Sequence, residues 1–173
     1  MTDHAKRLLE LAKFFSELLK DEIYWMDFGT ILGAVREGGL IEGDSDLDFG
    51  VLSLDVIYKY RKEIEDRGFW INFEPWRSFY LNVFFNKEEK SHADFWIFEP
   101  IGDKLKRPII DERYTARLKK TVDSTFDKSF IEPLIEVGFN GILLKSVNNP
   151  LQFTKLRYKN WSVKDPTDKG AMK

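Results

Sequence analysis

The chain has 173 residues, of which 27 are Lys or Arg and 29 are Asp or Glu, and its formal net charge is −2. This length suits one domain with its own hydrophobic core, and the balanced charge provides no basic field to hold a nucleic-acid polymer. The absence of cysteine excludes disulfides, thiolate metal ligands and thiol catalysis. We find neither a signal peptide nor an apolar run of about 18 residues, so we expect a cytoplasmic protein without membrane insertion.

The N-terminal half is predicted to alternate helices and strands. Apolar residues recur at helical spacing from Leu8 to Leu19, and short aromatic runs further on end at glycine or polar residues. Thr30 is the predicted N-cap of the second helix. The predicted elements are, in order, a helix from Asp3 to Lys20, a strand from Ile23 to Phe28, a helix from Ile31 to Arg36, a strand from Leu47 to Leu52 and a helix from Ser53 or Asp55 to Asp66.

The C-terminal half is predicted to be richer in strands. A polar turn at residues 86–91 joins two apolar runs, which is typical of a hairpin, and Pro150 marks the first turn of a last helix. No repeat or linker is visible, so we predict one domain over residues 1–161 and a polar, flexible tail over 162–173. The predicted elements are strands from Phe69 to Phe73, Phe79 to Phe85 and Ala93 to Phe98, a strand pair between Val137 and Leu144, and a helix from Leu151 to about Tyr158.

One predicted strand carries two acids in alternation with apolar residues. Asp46 and Asp48 are two positions apart, so on a strand both carboxylates face the same side, while Leu47 and Phe49 face a core. Two adjacent carboxylates on an apolar strand repel each other unless a cation lies between them. A calcium-binding loop fits less well, because the glycine comes one position late. The pattern therefore predicts a divalent-metal site for phosphate chemistry.

A third acid, Asp94, lies among apolar residues on the second strand of the predicted hairpin. If that strand is the neighbour of the acidic strand, three carboxylates converge. Hard oxygen ligands without cysteine favour Mg²⁺ or Mn²⁺ over zinc, and such ions can clamp the oxygens of a phosphoryl transfer. His92 shares the face of Asp94, and we interpret it as a solvated or hydrogen-bonded neighbour rather than a ligand.

The Gly29-Thr30 turn opens a predicted helix, where backbone N–H groups readily bind a phosphate. Arg36, near the end of that helix, could stabilise charge on a transferred group or could pair with Glu37 for structural reasons. Core packing is the better interpretation for most of the aromatic residues Trp70, Trp76, Phe79, Tyr80 and Trp96. Lys155, Arg157 and Lys159 are interpreted as a solvated helix face.

These motifs resemble a known family. The stretch from Phe28 to Arg36, Phe-Gly-Thr-Ile-Leu-Gly-Ala-Val-Arg, followed by Gly39-Leu40-Ile41 and Asp44-Ser45-Asp46-Leu47-Asp48, is similar to the LicD/fukutin-type phosphotransferases. His92-Ala93-Asp94-Phe95 resembles the later acidic strand of the same family. The family lies in the nucleotidyltransferase superfamily that includes DNA polymerase beta. The resemblance touches roughly residues 20–165, and its specific part is residues 27–50.

The resemblance implies an α+β nucleotidyltransferase-like fold, a small mixed sheet with helices packed on one side. It also implies transfer of phosphocholine or a polyol phosphate from a CDP-activated donor to a carbohydrate hydroxyl, with Mg²⁺ or Mn²⁺ as cofactor. Asp46, Asp48 and Asp94 would bind metal, Asp94 would serve as general base, and Gly29 and Thr30 would hold donor phosphate. Two alternatives stay open: a minimal nucleotidyltransferase that transfers a nucleoside monophosphate from an NTP, and a non-catalytic binding module of the same fold.

Overall fold

Alternating apolar and polar residues build the central sheet. The computed structural model describes residues 1–72, 80–108, 125–158 and 160–163. In this described part, five strands form a mixed sheet in the order β1-β2-β5-β4-β3. Strands β2 and β5 are parallel, and the other neighbours are antiparallel. The strands are β1 Tyr24–Met26, β2 Asp46–Val51, β3 Trp70–Asn72, β4 Tyr80–Phe84 and β5 His92–Ile97.

Helix α1 covers the apolar face of this sheet. It spans Asp3–Leu18, begins at the N-cap Thr2, and buries Phe15 completely. The Phe15 ring packs edge-on against Phe95 of β5 and Phe49 of β2, with ring centroids 4.9 and 6.3 Å apart. The opposite, acid-bearing face of β2 and β5 is therefore left for other elements and for the candidate site.

The predicted second and third helices need correction in detail. Helix α2 spans Phe28–Glu37, and its N-cap is Asp27, whose carboxylate accepts the N–H of Phe28. Thr30 is thus not the cap but lies inside the first turn. The helix predicted up to Asp66 is divided at Tyr60, which leaves helical geometry (φ −104°, ψ 18°) and whose hydroxyl donates to Glu22. The two parts are α3 Asp55–Lys59 and α4 Arg61–Asp66.

The C-terminal part adds smaller elements that extend the same hydrophobic core. The predicted hairpin, strand pair and last helix are confirmed, whereas the three-stranded sheet β6-β7-β8 within the described residues was not predicted. Its strands are two or three residues long, too short for a periodicity signal. The elements are β6 Glu99–Ile101, β7 Lys104–Lys106, β8 Phe126–Asp127, the 3₁₀ helix Lys128–Ile131, β9 Ile135–Phe139, β10 Ile142–Ser146 and α5 Pro150–Arg157.

Aromatic rings join these elements to the sheet. Trp25 of β1 lies over Gly50, where a methyl group would come within 2.2 Å of the indole, and its ring packs against Phe98. Phe126 contacts the rings of both Phe98 and Phe153 at 5.3 and 4.9 Å. Helix α5 consequently packs on the acid-bearing side of the sheet through these rings.

Among the described residues, none of the helices has the length and apolarity needed to cross a bilayer. The predicted strand Phe69 to Phe73 is confirmed up to Asn72, and its last residue lies outside the described residues. Most of the predicted tail, residues 164–173, also lies outside them. The division into a domain of residues 1–161 and a tail stays a prediction.

Candidate active site

The pairing of β2 with β5 places the predicted acids side by side. The two strands are parallel and in register, so that Asp46 lies opposite His92 and Asp48 lies opposite Asp94. Residues two apart on a strand share a face, and directly paired residues on neighbouring strands are adjacent on that face. The strand pairing on which the predicted convergence depended is therefore present in the structure.

Asp46, His92 and Asp94 form a group that could hold a metal ion, since one ligand atom from each lies within 4.8 Å of the others. The His92 Nε2 atom is 3.3 Å from Asp94 Oδ1 and 3.9 Å from Asp46 Oδ2. The Asn82 side-chain amide donates to Asp94 Oδ1 and so orients that carboxylate. From the sequence, His92 was interpreted as a solvated or hydrogen-bonded neighbour of Asp94 and not as a ligand. The structure places it in this candidate metal group.

Asp48 lies beside this group and is held by N–H donors on both oxygens. The backbone N–H of Gly29 donates to Oδ2 over 3.2 Å, and the Trp96 indole donates to Oδ1 over 3.0 Å. Burial raises the pKa of Asp48 well above its ordinary value, and the carboxylates of Asp46 and Asp94 raise that pKa further. Like charges are thus concentrated where the chain supplies the N–H groups of a helix N-terminus.

The start of α2 approaches the acidic residues closely. Phe28 has φ 37°, a left-handed conformation that is unusual for an aromatic residue, and its N–H is held by Asp27. A methyl group on Gly29 would come 2.9 Å from Asp44 Oδ2. The Thr30 hydroxyl accepts the backbone N–H of Asp48 over 2.7 Å. Both predicted phosphate-binding residues therefore contact the acidic strand directly.

The described hydrogen bonds of Arg36 join it to residues outside the candidate metal group. Its Nε donates to Glu37 over 2.8 Å, and a terminal nitrogen donates to the Val163 carbonyl over 2.9 Å. This matches the structural alternative considered from the sequence. A role in charge stabilisation stays a prediction.

The sequence interpretation of Arg157 was wrong. Arg157 is not on a solvated face but is 5% exposed, and it donates to the fully buried Asp27 over 2.9 Å. Its guanidinium lies over the Phe153 and Phe28 rings at 4.6 and 4.9 Å. The spacing of basic residues along the helix could not reveal this ion pair, because the partner Asp27 is 130 positions away in the chain. Lys155 is exposed, and Lys159 lies outside the described residues.

The aromatic residues near the site pack mainly on one another. Tyr80 is buried and stacks on Trp96 with ring centroids 4.6 Å apart. Arg107, which sequence reasoning did not single out, lies over the Trp96 and Phe28 rings at 5.2 and 5.5 Å. Trp76 and Phe79 lie outside the described residues. Core packing is confirmed for Tyr80, while Trp96 also orients a site carboxylate.

The fold has a counterpart among solved structures. It is similar to the crystal structure of the lincosamide antibiotic adenylyltransferase LnuA with lincomycin bound, with a TM-score of 0.51 and 15% sequence identity over 88% of this chain and 84% of that chain. The α+β class with a mixed sheet and helices is thereby confirmed as a nucleotidyltransferase fold. The sequence matches the family described as LicD/FKTN/FKRP, nucleotidyltransferase domain, over residues 22–149. The chain belongs to this family.

Two kinds of relatives carry the same region. Ribitol 5-phosphate transferase FKRP from Homo sapiens and from Mus musculus is 28% identical over 152 residues, which is 83% of this chain and 29% of FKRP. The uncharacterized protein RP689 of Rickettsia prowazekii is 29% identical over 161 residues, 91% of this chain and 56% of that protein. The chain therefore spans less than a third of FKRP and little more than half of the rickettsial protein.

Proposed function

We propose that this chain transfers a phosphorylated alcohol, a polyol phosphate or phosphocholine, from a CDP-activated donor to a carbohydrate hydroxyl with the help of a divalent cation. The observation that carries the proposal is the in-register parallel pairing of β2 with β5, which sets Asp46 and Asp48 beside Asp94 at the N-terminus of α2. Membership of a family that includes a ribitol 5-phosphate transferase supports the substrate class.

The donor atoms of the candidate site are of the kind that binds a divalent cation. Carboxylate oxygens are the preferred ligands of Mg²⁺ and Mn²⁺. Burial, and after it the negative charges of Asp46 and Asp94, raise the pKa of Asp48, and a bound cation would offset this concentration of negative charge. Asp46 and Asp94, together with Asp48, would hold the ion. When bound, a divalent cation neutralises charge on the transferred phosphoryl group.

The proposed reaction is an in-line displacement at the phosphorus that carries the alcohol. A bond forms between this phosphorus and the acceptor hydroxyl oxygen, the bond to the bridging oxygen breaks, and CMP leaves with the electron pair. Asp94 takes the proton of the acceptor hydroxyl, and the Asn82 amide keeps its carboxylate in place. Gly29 and Thr30 hold donor phosphate at the positive end of α2, where the Gly29 N–H would exchange its bond to Asp48 for one to phosphate.

Arg36 stays in this proposal as a residue that stabilises charge on the transferred group. Its contacts with Glu37 and Val163 would then be exchanged for contacts with phosphate.

A thermal-shift panel tests the proposal. The native chain is heated with CDP-ribitol, CDP-glycerol, CDP-choline, CTP or ATP, each with and without Mg²⁺ or Mn²⁺. A ligand that binds the folded state raises Tm by mass action, so we expect a CDP-alcohol to give the largest metal-dependent shift. The best donor is then incubated with candidate glycans, and release of CMP is measured.

The matched variants are Asp46→Asn and Asp66→Asn. The first changes a site carboxylate, and the second changes an exposed carboxylate that pairs only with Lys62 in the described ion pairs. Asp46→Asn should abolish the metal-dependent shift and CMP release, whereas Asp66→Asn should change neither. A shift with ATP or CTP but with no CDP-alcohol would favour nucleotidyl transfer, and binding without turnover would favour a non-catalytic module.

A further inference from the structure

We propose that His92 is a metal ligand through Nε2, and that the site consequently prefers a first-row transition ion, Mn²⁺, to Mg²⁺. This inference rests on the proposed function, because it concerns the same metal site, but it replaces an all-carboxylate ligand set with a mixed nitrogen and oxygen set.

The hydrogen bond on the other ring nitrogen determines the tautomer. His92 Nδ1 is 2.6 Å from the backbone carbonyl of Lys90. A carbonyl oxygen can only accept, so Nδ1 carries the hydrogen, and in the neutral ring Nε2 carries the lone pair. Metal-binding histidines commonly show this arrangement, in which one nitrogen donates to a carbonyl while the other binds the ion.

The second ring nitrogen, Nε2, is aimed at the carboxylates. Nε2 is 3.3 Å from Asp94 Oδ1 and 3.9 Å from Asp46 Oδ2, and the ring is stacked on Phe84 with centroids 4.8 Å apart at 22°. The imidazole is therefore oriented from its edge by Lys90 and from its face by Phe84. A lone pair facing carboxylate oxygens at these distances is repelled unless a cation lies between them.

The ligand set determines which cation is favoured. Mg²⁺ demands near-ideal octahedral oxygen coordination and keeps its waters, whereas imidazole nitrogen suits ions of the first transition series. Adding His92 to Asp46 and Asp94 therefore strengthens Mn²⁺ binding more than Mg²⁺ binding. The competing arrangement is a protonated His92 that pairs with the two carboxylates and binds no ion.

Three variants test whether His92 binds the metal ion. His92→Asn can keep a donor near the Nδ1 position while removing the ligand atom. His92→Gln can place an oxygen near the Nε2 position. His4→Gln removes the chain's other imidazole, which contacts the Asp44 carbonyl and the Ser91 hydroxyl outside the group. Each protein is prepared without a histidine tag, and its fold is checked by circular dichroism in the absence of metal.

Metal affinity is measured without turnover. Free Mn²⁺ is followed by electron paramagnetic resonance during titration, and Mg²⁺ is titrated in competition. We expect wild type and His4→Gln to bind Mn²⁺ at least about tenfold more tightly than Mg²⁺, and His92→Asn to lose about 10- to 100-fold in Mn²⁺ affinity. His92→Gln should bring the two affinities closer together.

A spectroscopic measurement on the wild type keeps the test independent of folding in the variants. In the Co²⁺ form, the His92 Nδ1–H should give a hyperfine-shifted proton signal that disappears in D₂O. Equal Mn²⁺ affinity in wild type and folded His92→Asn, or the absence of such a signal, would overturn the proposal while leaving a carboxylate metal site intact. No divalent-ion binding by wild type would overturn both this inference and the metal dependence of the proposed function.

Discussion

Gly29 illustrates how much a single residue decides at this site. It lies in the first turn of α2, where alanine would favour the helix by about 1 kcal/mol. A methyl group there would nevertheless come 2.9 Å from Asp44 Oδ2 and 3.5 Å from Asp48 Oδ2. The glycine is therefore explained by the close approach of backbone to carboxylates, and not by helix stability.

We expect Gly29→Ala to impair metal and donor binding by about tenfold, because the added methyl group displaces the Asp44 carboxylate and fills the space beside the Asp48 carboxylate. Stability should change by less than about 1 kcal/mol, since the helix gain offsets part of the strain and the Asp44 side chain can move. Metal titration and urea denaturation measure the two effects. Gly138→Ala is the control, because a methyl group there meets open space; equal metal binding by both variants would contradict this role of Gly29.

At the scale of elements, α5 is joined to the start of α2 by the buried pair of Arg157 and Asp27. Burial raises the pKa of Asp27, and Arg157 partly offsets this effect. Asp27 also caps α2 and accepts the Trp25 indole N–H, while its own backbone N–H donates to the carbonyl of Asp48. The pair thus links the last helix to the residues that carry the site.

We expect Arg157→Met to destabilise the fold by about 3–5 kcal/mol, because it leaves a buried carboxylate without its cation. The double variant Asp27→Asn/Arg157→Met should recover part of this loss, since no buried charge remains and asparagine can still cap the helix. Urea denaturation measures both. Lys155→Met, at an exposed position of the same helix, should stay within about 0.5 kcal/mol of wild type; an equally small effect of Arg157→Met would contradict the assignment.

At the scale of the whole molecule, α1 belongs to the core although it precedes the region that matches the family. The match begins at residue 22, whereas α1 spans Asp3–Leu18 and buries Leu8, Leu11, Ala12 and Phe15 against the sheet. A helix that fills one face of the central sheet cannot be removed without exposing that face. The folding unit therefore includes residues outside the matched region.

We expect Phe15→Ala to cost about 3–5 kcal/mol, because it opens a cavity between α1 and the rings of Phe49 and Phe95. Lys13→Ala, at an exposed position of the same helix, should be nearly neutral. Thermal and urea unfolding followed by near-ultraviolet circular dichroism compare the two variants. A small effect of Phe15→Ala would mean that α1 is not part of the cooperative core.

The sequence by itself determined the local features of this protein: most element positions, the shared face of Asp46 and Asp48, and the family motif from Phe28 to Asp48. These follow from strand and helix periodicity, which depends on neighbouring residues alone. Only the tertiary structure decided that β2 pairs in parallel with β5, that His92 joins the acids, and that Arg157 is buried against Asp27. Such contacts join residues far apart in the chain, and local spacing carries no information about which strands or helices become neighbours.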